Sequence, residues 1–194
     1  MKRAVIVGSA PCVWDDLAAA PEWPLIVINA MGLKILGEID LWCSIHGTEL
    51  CERMKKRDRL GGDIDYLAYG VIDNPRIKDP EDSRFNRVHR GQNGIWVGGS
   101  SGMFAIQVAL SLGYERLVLC GVPLDGNDTI QDDGIKHFKG GNRNKYGGRD
   151  PAYAQYQQAF IDHEEQLIPH VRSMSGWTKL RFGPPENGWT NATS

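Results

Sequence analysis

Short apolar runs recur along the chain: AVIVG (4–8), LIVIN (25–29), LWCSI (41–45), YLAYGV (66–71), RLVLCGV (116–122) and VRSMS (171–175). They do not alternate apolar with polar residues. Uninterrupted runs of this length predict strands covered on both faces, as in a parallel sheet. Helical patterns fall between them. Pro11 suits a first helical turn, where its missing N–H costs nothing. Thr48 is placed to cap a helix reaching about Arg59, with Glu49 and Arg53 as an i,i+4 pair.

The clearest helix spans 101–112, SGMFAIQVALSL, with Ser100 or Ser101 as cap and Gly113 as terminator. It is apolar nearly all round and therefore expected to be deeply buried. A further helix is predicted from about Pro151 to Ile168, with Phe160, Leu167 and Ile168 facing the core. Strand and helix alternate, which predicts an α/β class with an open, doubly wound, mostly parallel sheet. Two stretches, 72–99 and 123–150, escape the pattern and read as long polar loops, and such loops are usually functional or mobile.

The chain has 194 residues, 41% of them hydrophobic, which suits one domain spanning 1–194 with a tail at about 183–194. A net charge of −2 gives no general electrostatic grip on nucleic acid or on an anionic membrane. MKRAVIVG has too short an apolar run for a signal peptide, and no stretch approaches a bilayer span, so a cytoplasmic protein is expected. Cys12, Cys43, Cys51 and Cys120 form no CxxC and read as free thiols. The Asn191-Ala192-Thr193 sequon then carries no weight.

In open α/β sheets ligands bind beyond the carboxyl ends of the strands. Those positions here are Gly8, Ser9 and Ala10; Asn29 to Gly32; His46 to Thr48; and Gly121 to Asp125. Gly8 is expected to leave room for a nucleotide. Gly98-Gly99-Ser100-Ser101-Gly102 runs into a helix start, whose free N–H groups and dipole favour an anion. Alternatively, a serine merely caps that helix while the glycines allow tight packing. His46 is placed either to hydrogen-bond a ribose or acceptor hydroxyl or to help cap the next helix. His163 and His170 flank a helix, His89 lies between Arg87 and Arg90, and Trp177 and Trp189 are expected to pack.

The pairing of VIVGSAPC with SSGMFAIQVALSLGYERLVLCGVPLDG resembles bacterial single-domain sialyltransferases that use CMP-sialic acid, and the related central domain of flagellin motility accessory factors. Gly8-Ser9-Ala10-Pro11 matches the family's first loop, with Ala10 where glycine is usual. Ser101-Gly102, Leu112-Gly113-Tyr114 and Gly121-Val122-Pro123 match later motifs, and Asn29 falls where the family keeps an asparagine near the cytidine nucleotide. Phage and prophage proteins are similar as well, including in VRSMSGWT. The likeness covers most of 1–125 and is weak beyond.

The resemblance implies a Rossmann-like fold, a nucleotide-sugar donor such as a CMP-sugar, no further cofactor, and no metal. Asp63-Ile64-Asp65 has DxD form but precedes a strand rather than ending one. The family's general-base histidine is absent: Tyr146-Gly147-Gly148-Arg149-Asp150 stands at its place. Either His137 takes the base's role, with Tyr146 a catalytic partner, or the chemistry differs; the basic loop around them either closes as a lid, with Lys139 and Arg143 neutralising the departing phosphate, or is merely solvated. The function implied is metal-independent sugar transfer to an acceptor hydroxyl. The alternatives are a nucleotide-binding or sequestering phage accessory protein without transfer activity, or a phosphotransferase related to pterin diphosphokinases. Partners expected are a small nucleotide or nucleotide sugar and a homo-oligomeric copy.

Overall fold

Residues KRAVIV form strand β1 (Lys2–Val7), and from Ala4 onward every side chain is buried. Ala4 and Ile6 enter the core on one face, Val5 and Val7 the core on the other. That two-sided burial is what an unbroken apolar run requires. In this computed structural model, which describes residues 1–73, 80–89, 100–125, 151–186 and 189, with 151–153 as backbone only, six more strands pair with β1. They are β2 (Leu25–Ile28), β3 (Leu41–Ser44), β4 (Leu67–Val71), β5 (Phe85–Val88), β6 (Tyr114–Cys120) and β7 (Val171–Ser173). The order is β5-β4-β3-β2-β1-β6-β7, and every pairing is parallel.

Helices cover both faces. On one side α1 (Val13–Ala19) and α2 (Gly47–Arg59) contribute Val13, Leu50 and Met54 to the core with Trp42. On the other, α3 (Ser101–Ser111), α4 (Pro151–Asp162), α5 (Glu164–Leu167) and α6 (Gly176–Phe182) contribute residues including Phe104, Phe160, Leu167 and Phe182. The chain steps outward from β1 to β5, then returns through α3 to place β6 beside β1. This is the doubly wound, Rossmann-like arrangement, and its topological switch lies between β1 and β6. Among the described residues no helix is long and apolar enough to cross a membrane.

Several expectations need correction. β5 lies in the stretch read as loop; at the sheet edge it buries only Val88 fully, so FNRV carries no continuous apolar signal. The predicted 151–168 helix breaks at His163 (φ −116°, ψ 11°), giving α4 and α5. The break rotates the following residues, so Leu167 stays buried while Ile168 is 45% exposed. Thr48 is exposed and does not cap α2; His46 holds the capping position, without a side-chain bond. Ser100 caps α3, its hydroxyl accepting from Gly102 N at 3.2 Å, and Gly113 ends that helix at φ +80°. Glu49 pairs with Arg53 at 3.1 Å, as its spacing predicts. All four cysteines are free. Trp189 packs on Trp23, ring centres 6.1 Å apart, with Arg116 and Arg172 over its ring.

Candidate functional site

Asn29 follows β2 directly and opens a 3-10 turn (Asn29–Leu33) with φ +50°, a left-handed conformation that asparagine tolerates better than most residues. Its carbonyl accepts the Trp42 indole N–H at 2.7 Å. Its Oδ1 accepts two hydroxyls, Ser44 Oγ at 2.9 Å and Ser101 Oγ at 3.0 Å. The proton directions follow from the other half of each serine's bonding. Ser44 Oγ accepts from His46 N at 3.0 Å, and Ser101 Oγ accepts from Ile45 N at 3.3 Å. Each hydroxyl proton is therefore free for Asn29, and the atom receiving two donors must be the amide oxygen. The amide NH2 is thereby turned the other way and bonds to no described residue. Three elements, the ends of β2 and β3 and the start of α3, meet on this one side chain.

The β1 corner is tied to β6. Gly8 N donates to Cys120 O at 2.8 Å and Ala10 N to Gly121 O at 3.2 Å. A Cβ on Gly8 would lie 2.3 Å from Gly121 O and 2.7 Å from a Val122 methyl. The expected room for a nucleotide beside Gly8 is thus taken by the chain's own backbone, which corrects that reading. Gly121 (φ +64°) is equally constrained, its absent Cβ 2.7 Å from Val13 Cβ and 2.8 Å from Gly8 O. The other methyl of Val122 lies 3.4 Å from where a Gly102 Cβ would stand. The two glycine corners therefore occupy the same end of the sheet, separated by one valine. Ser9 is half-buried at this rim, and its hydroxyl bonds to no described residue.

Asp16 on α1 fixes the β6 exit. Its buried Oδ2 accepts Gly121 N at 2.8 Å and Ser175 Oγ at 2.7 Å. Cys12 Sγ lies 3.3 Å from Ser175 Oγ, and burial pushes the Cys12 thiol pKa up. Thr178 Oγ1 donates to Val122 O at 2.7 Å. Asp16, Ser44, Ser175 and Thr178 were not singled out in the sequence. The only local signal for any of them is Asp16 in the first turn of a helix, where carboxylates are common.

At the start of α3 both hydroxyls are committed, Ser100 to the cap and Ser101 to Asn29. The first turn is buried, Ser100 and Ser101 each being 7% exposed. What it offers a ligand is the dipole and backbone N–H groups rather than serine hydroxyls. His46, at the end of β3, is exposed and its ring bonds to no described residue. Leu124, where the chain leaves the rim, holds φ +49° with its carbonyl accepting Gln157 Nε2 at 2.6 Å. A bulky residue in this region costs about 1–3 kcal/mol and persists only where its surroundings impose it. His137, Lys139, Arg143 and Tyr146 lie outside the described residues.

Elsewhere the chemistry is self-contained. Asp63 Oδ1 accepts Asp65 N at 2.8 Å, closing a local turn. His170 Nδ1 bonds Glu115 O at 2.9 Å. Among the described residues no cluster of three or more His, Cys, Asp or Glu side chains is placed to hold a metal. A cleft of about 490 Å³ lined by Met1, Lys2, Arg3, Trp23, Pro24, Asp40 and Tyr114 opens at the amino ends of the strands. Its two rings are already faced by the chain's own cations, Arg3 over Trp23 and Lys2 over Tyr114. It lies at the opposite end from the switch point, where such folds bind ligands, so the carboxyl rim is the stronger candidate. Comparison with protein-family models, with curated proteins and with solved structures finds no match to this chain.

Proposed function

We propose that the carboxyl rim binds a nucleotide or nucleotide sugar and transfers the sugar to an acceptor hydroxyl, with a CMP-sugar as the donor that the sequence resemblance implies. The observation that carries this reading is the orientation of Asn29. Two serine hydroxyls hold its oxygen, so its NH2 is a pre-set donor at the end of β2, one strand from the switch point. A donor held this way costs little side-chain entropy when it engages a ligand. It suits acceptor atoms: a pyrimidine carbonyl, a ribose oxygen or a phosphate oxygen. Ser9 and the Ala10 turn on one side, and the positive end of α3 on the other, supply further polar groups for the nucleotide and its phosphate. The loop residues Lys139, Arg143 and Tyr146 would neutralise the departing phosphate in this scheme.

Binding without transfer is the second reading. It is supported by the structural hydrogen bonds that occupy the hydroxyls of Ser44, Ser100 and Ser101. The two readings share a binding site and separate on turnover.

Asn29→Asp tests the site. The aspartate keeps an oxygen for both serines and replaces the NH2 by a carboxylate oxygen, so the fold is retained while a donor becomes a repelling anion. Calorimetry with CMP should give binding to the wild type and a loss of tenfold or more in the variant, equivalent to about 1.4 kcal/mol. Equal affinity for both proteins, or no CMP binding by the wild type, rules the placement out. Consumption of CMP-sialic acid, followed by CMP release, then distinguishes transfer from sequestration.

A further inference from the structure

His46 has a main chain fixed by its neighbours and a ring that bonds to none of the described residues. Its N–H donates to Ser44 Oγ at 3.0 Å, and its carbonyl accepts Leu50 N at 3.0 Å as α2 begins. The next residue, Gly47, is pressed on β4: a Cβ there would lie 2.6 Å from the Ile72 side chain and 2.7 Å from Val71 O. The main chain of His46 is thus fixed before, at and after the residue. Its position is the cap of α2, yet the imidazole makes no capping bond. The ring is exposed at the carboxyl rim and has no partner among the described residues.

The link to Asn29 is short. Ser44 Oγ receives the His46 N–H and passes its own proton to Asn29 Oδ1 at 2.9 Å. One serine therefore sets the main chain of the imidazole and the amide of the ligand donor together. No other described histidine is in this position. His170 is bonded to Glu115 O at the opposite end of β6, and His89 and His163 have partners of their own.

We propose that His46 is the proton acceptor of the site, an inference that rests on the rim's binding a nucleotide sugar. In the step, the acceptor hydroxyl gives its proton to a ring nitrogen of His46. Its oxygen forms the bond to the anomeric carbon, and the bond from that carbon to the phosphate oxygen breaks, its electron pair leaving with CMP. The imidazolium returns its proton to solvent. A positioned general base contributes roughly 10²–10⁴-fold to rate.

The test uses the full chain, with CMP-sialic acid as donor and water as acceptor, and compares wild type, His46→Ala, His46→Gln and His137→Ala. Calorimetry reports CMP affinity, and release of CMP reports turnover. His46 is exposed, so both of its variants should fold, which thermal melting checks. The expected result is CMP affinity within about threefold of wild type and turnover at least 100-fold lower. Added free imidazole should restore part of the turnover of His46→Ala and none for His137→Ala. Turnover of His46→Ala close to wild type, or a loss that imidazole does not relieve, overturns the assignment and leaves the nucleotide reading standing. A wild type that binds CMP but consumes no CMP-sialic acid also overturns it. A wild type that binds no CMP overturns both.

Discussion

Arg57→Leu should be among the most damaging single changes in this chain, although Arg57 lies in the charge-rich helix GTELCERMKKRDR and touches no proposed ligand. Its side chain is fully buried. Nε donates to Asp63 O at 2.8 Å, Nη1 to Gly32 O at 2.6 Å and to Ile35 O, and Nη2 to Gly37 O at 2.6 Å and Leu36 O at 3.2 Å. All five guanidinium protons are thereby spent on backbone carbonyls. Those carbonyls belong to the loop that begins at Asn29 and to the turn after α2. Burial lowers the pKa of the group, yet arginine's ordinary value is high enough that it remains charged.

In the leucine variant Gly32 O is left buried without a donor, a penalty of about 1–3 kcal/mol. The other four carbonyls belong to half-buried or exposed residues and turn to water, each giving up roughly 0.5–1 kcal/mol of net bonding. Leucine returns about 1.5 kcal/mol through its own apolar burial. The sum is a loss of about 1.5–5.5 kcal/mol, or about 3–22 °C in Tm for a chain of this size. Arg57→Lys, with three donors and the charge retained, should lose about half as much. Urea and thermal unfolding measure the loss, and amide exchange over 29–37 locates it. A leucine variant melting within 3 °C of wild type, with protection of 29–37 unchanged, would refute the claim that Arg57 holds this loop from below.

Gly8→Ala places a methyl 2.3 Å from Gly121 O; it should cost about 3 kcal/mol or more, read as a lower urea midpoint, and a midpoint equal to wild type would contradict the close approach of β1 and β6. Trp189→Ala removes one aromatic and two cation contacts and should cost about 2 kcal/mol, with a change in Trp23 emission; an unchanged melting curve would show that the C-terminal segment is not held by this residue. Alkaline stability should fall for a reason visible in the core. Burial raises the Cys51 thiol from 9.0 to about 11, the Cys120 thiol from 9.0 to about 12 and the Tyr66 phenol from 10.0 to about 12. Each folded value lies above the unfolded one, so the stabilisation is complete below about pH 9 and disappears as pH rises toward 12. Melting temperatures at pH 8, 9.5 and 11 should therefore decline, and a flat series would contradict the burial of these groups.

The sheet was legible because its central strands are buried on both faces and so must be apolar throughout. β5 was not legible, since an edge strand can carry Asn86 and Arg87 at its centre. The role of Arg57 was not legible, because nothing local announces that five carbonyls, from positions 32 to 63, will converge on it. Gly8 was read as space for a ligand, yet it and Gly121 make way for each other across 113 residues of chain. Asn29 was indicated by its place after a strand and by resemblance. Its two anchors, 15 and 72 residues away, become visible only when the strand ends are brought together. A candidate site assembled from such distant residues is not a motif, whereas the rim on which it sits follows from the sheet.

The central claim is that the nucleotide sits on the Asn29 rim. An amide NMR titration with CMP tests it most directly, following the Asn29 side-chain NH2 pair and the backbone signals of Ser9, Ala30 and His46, with Lys2, Arg3 and Tyr114 reporting on the opposite cleft. The account predicts saturable shifts in the first set and none in the second. Shifts confined to the second set, or an Asn29 NH2 pair that stays in place while CMP binds, would contradict it.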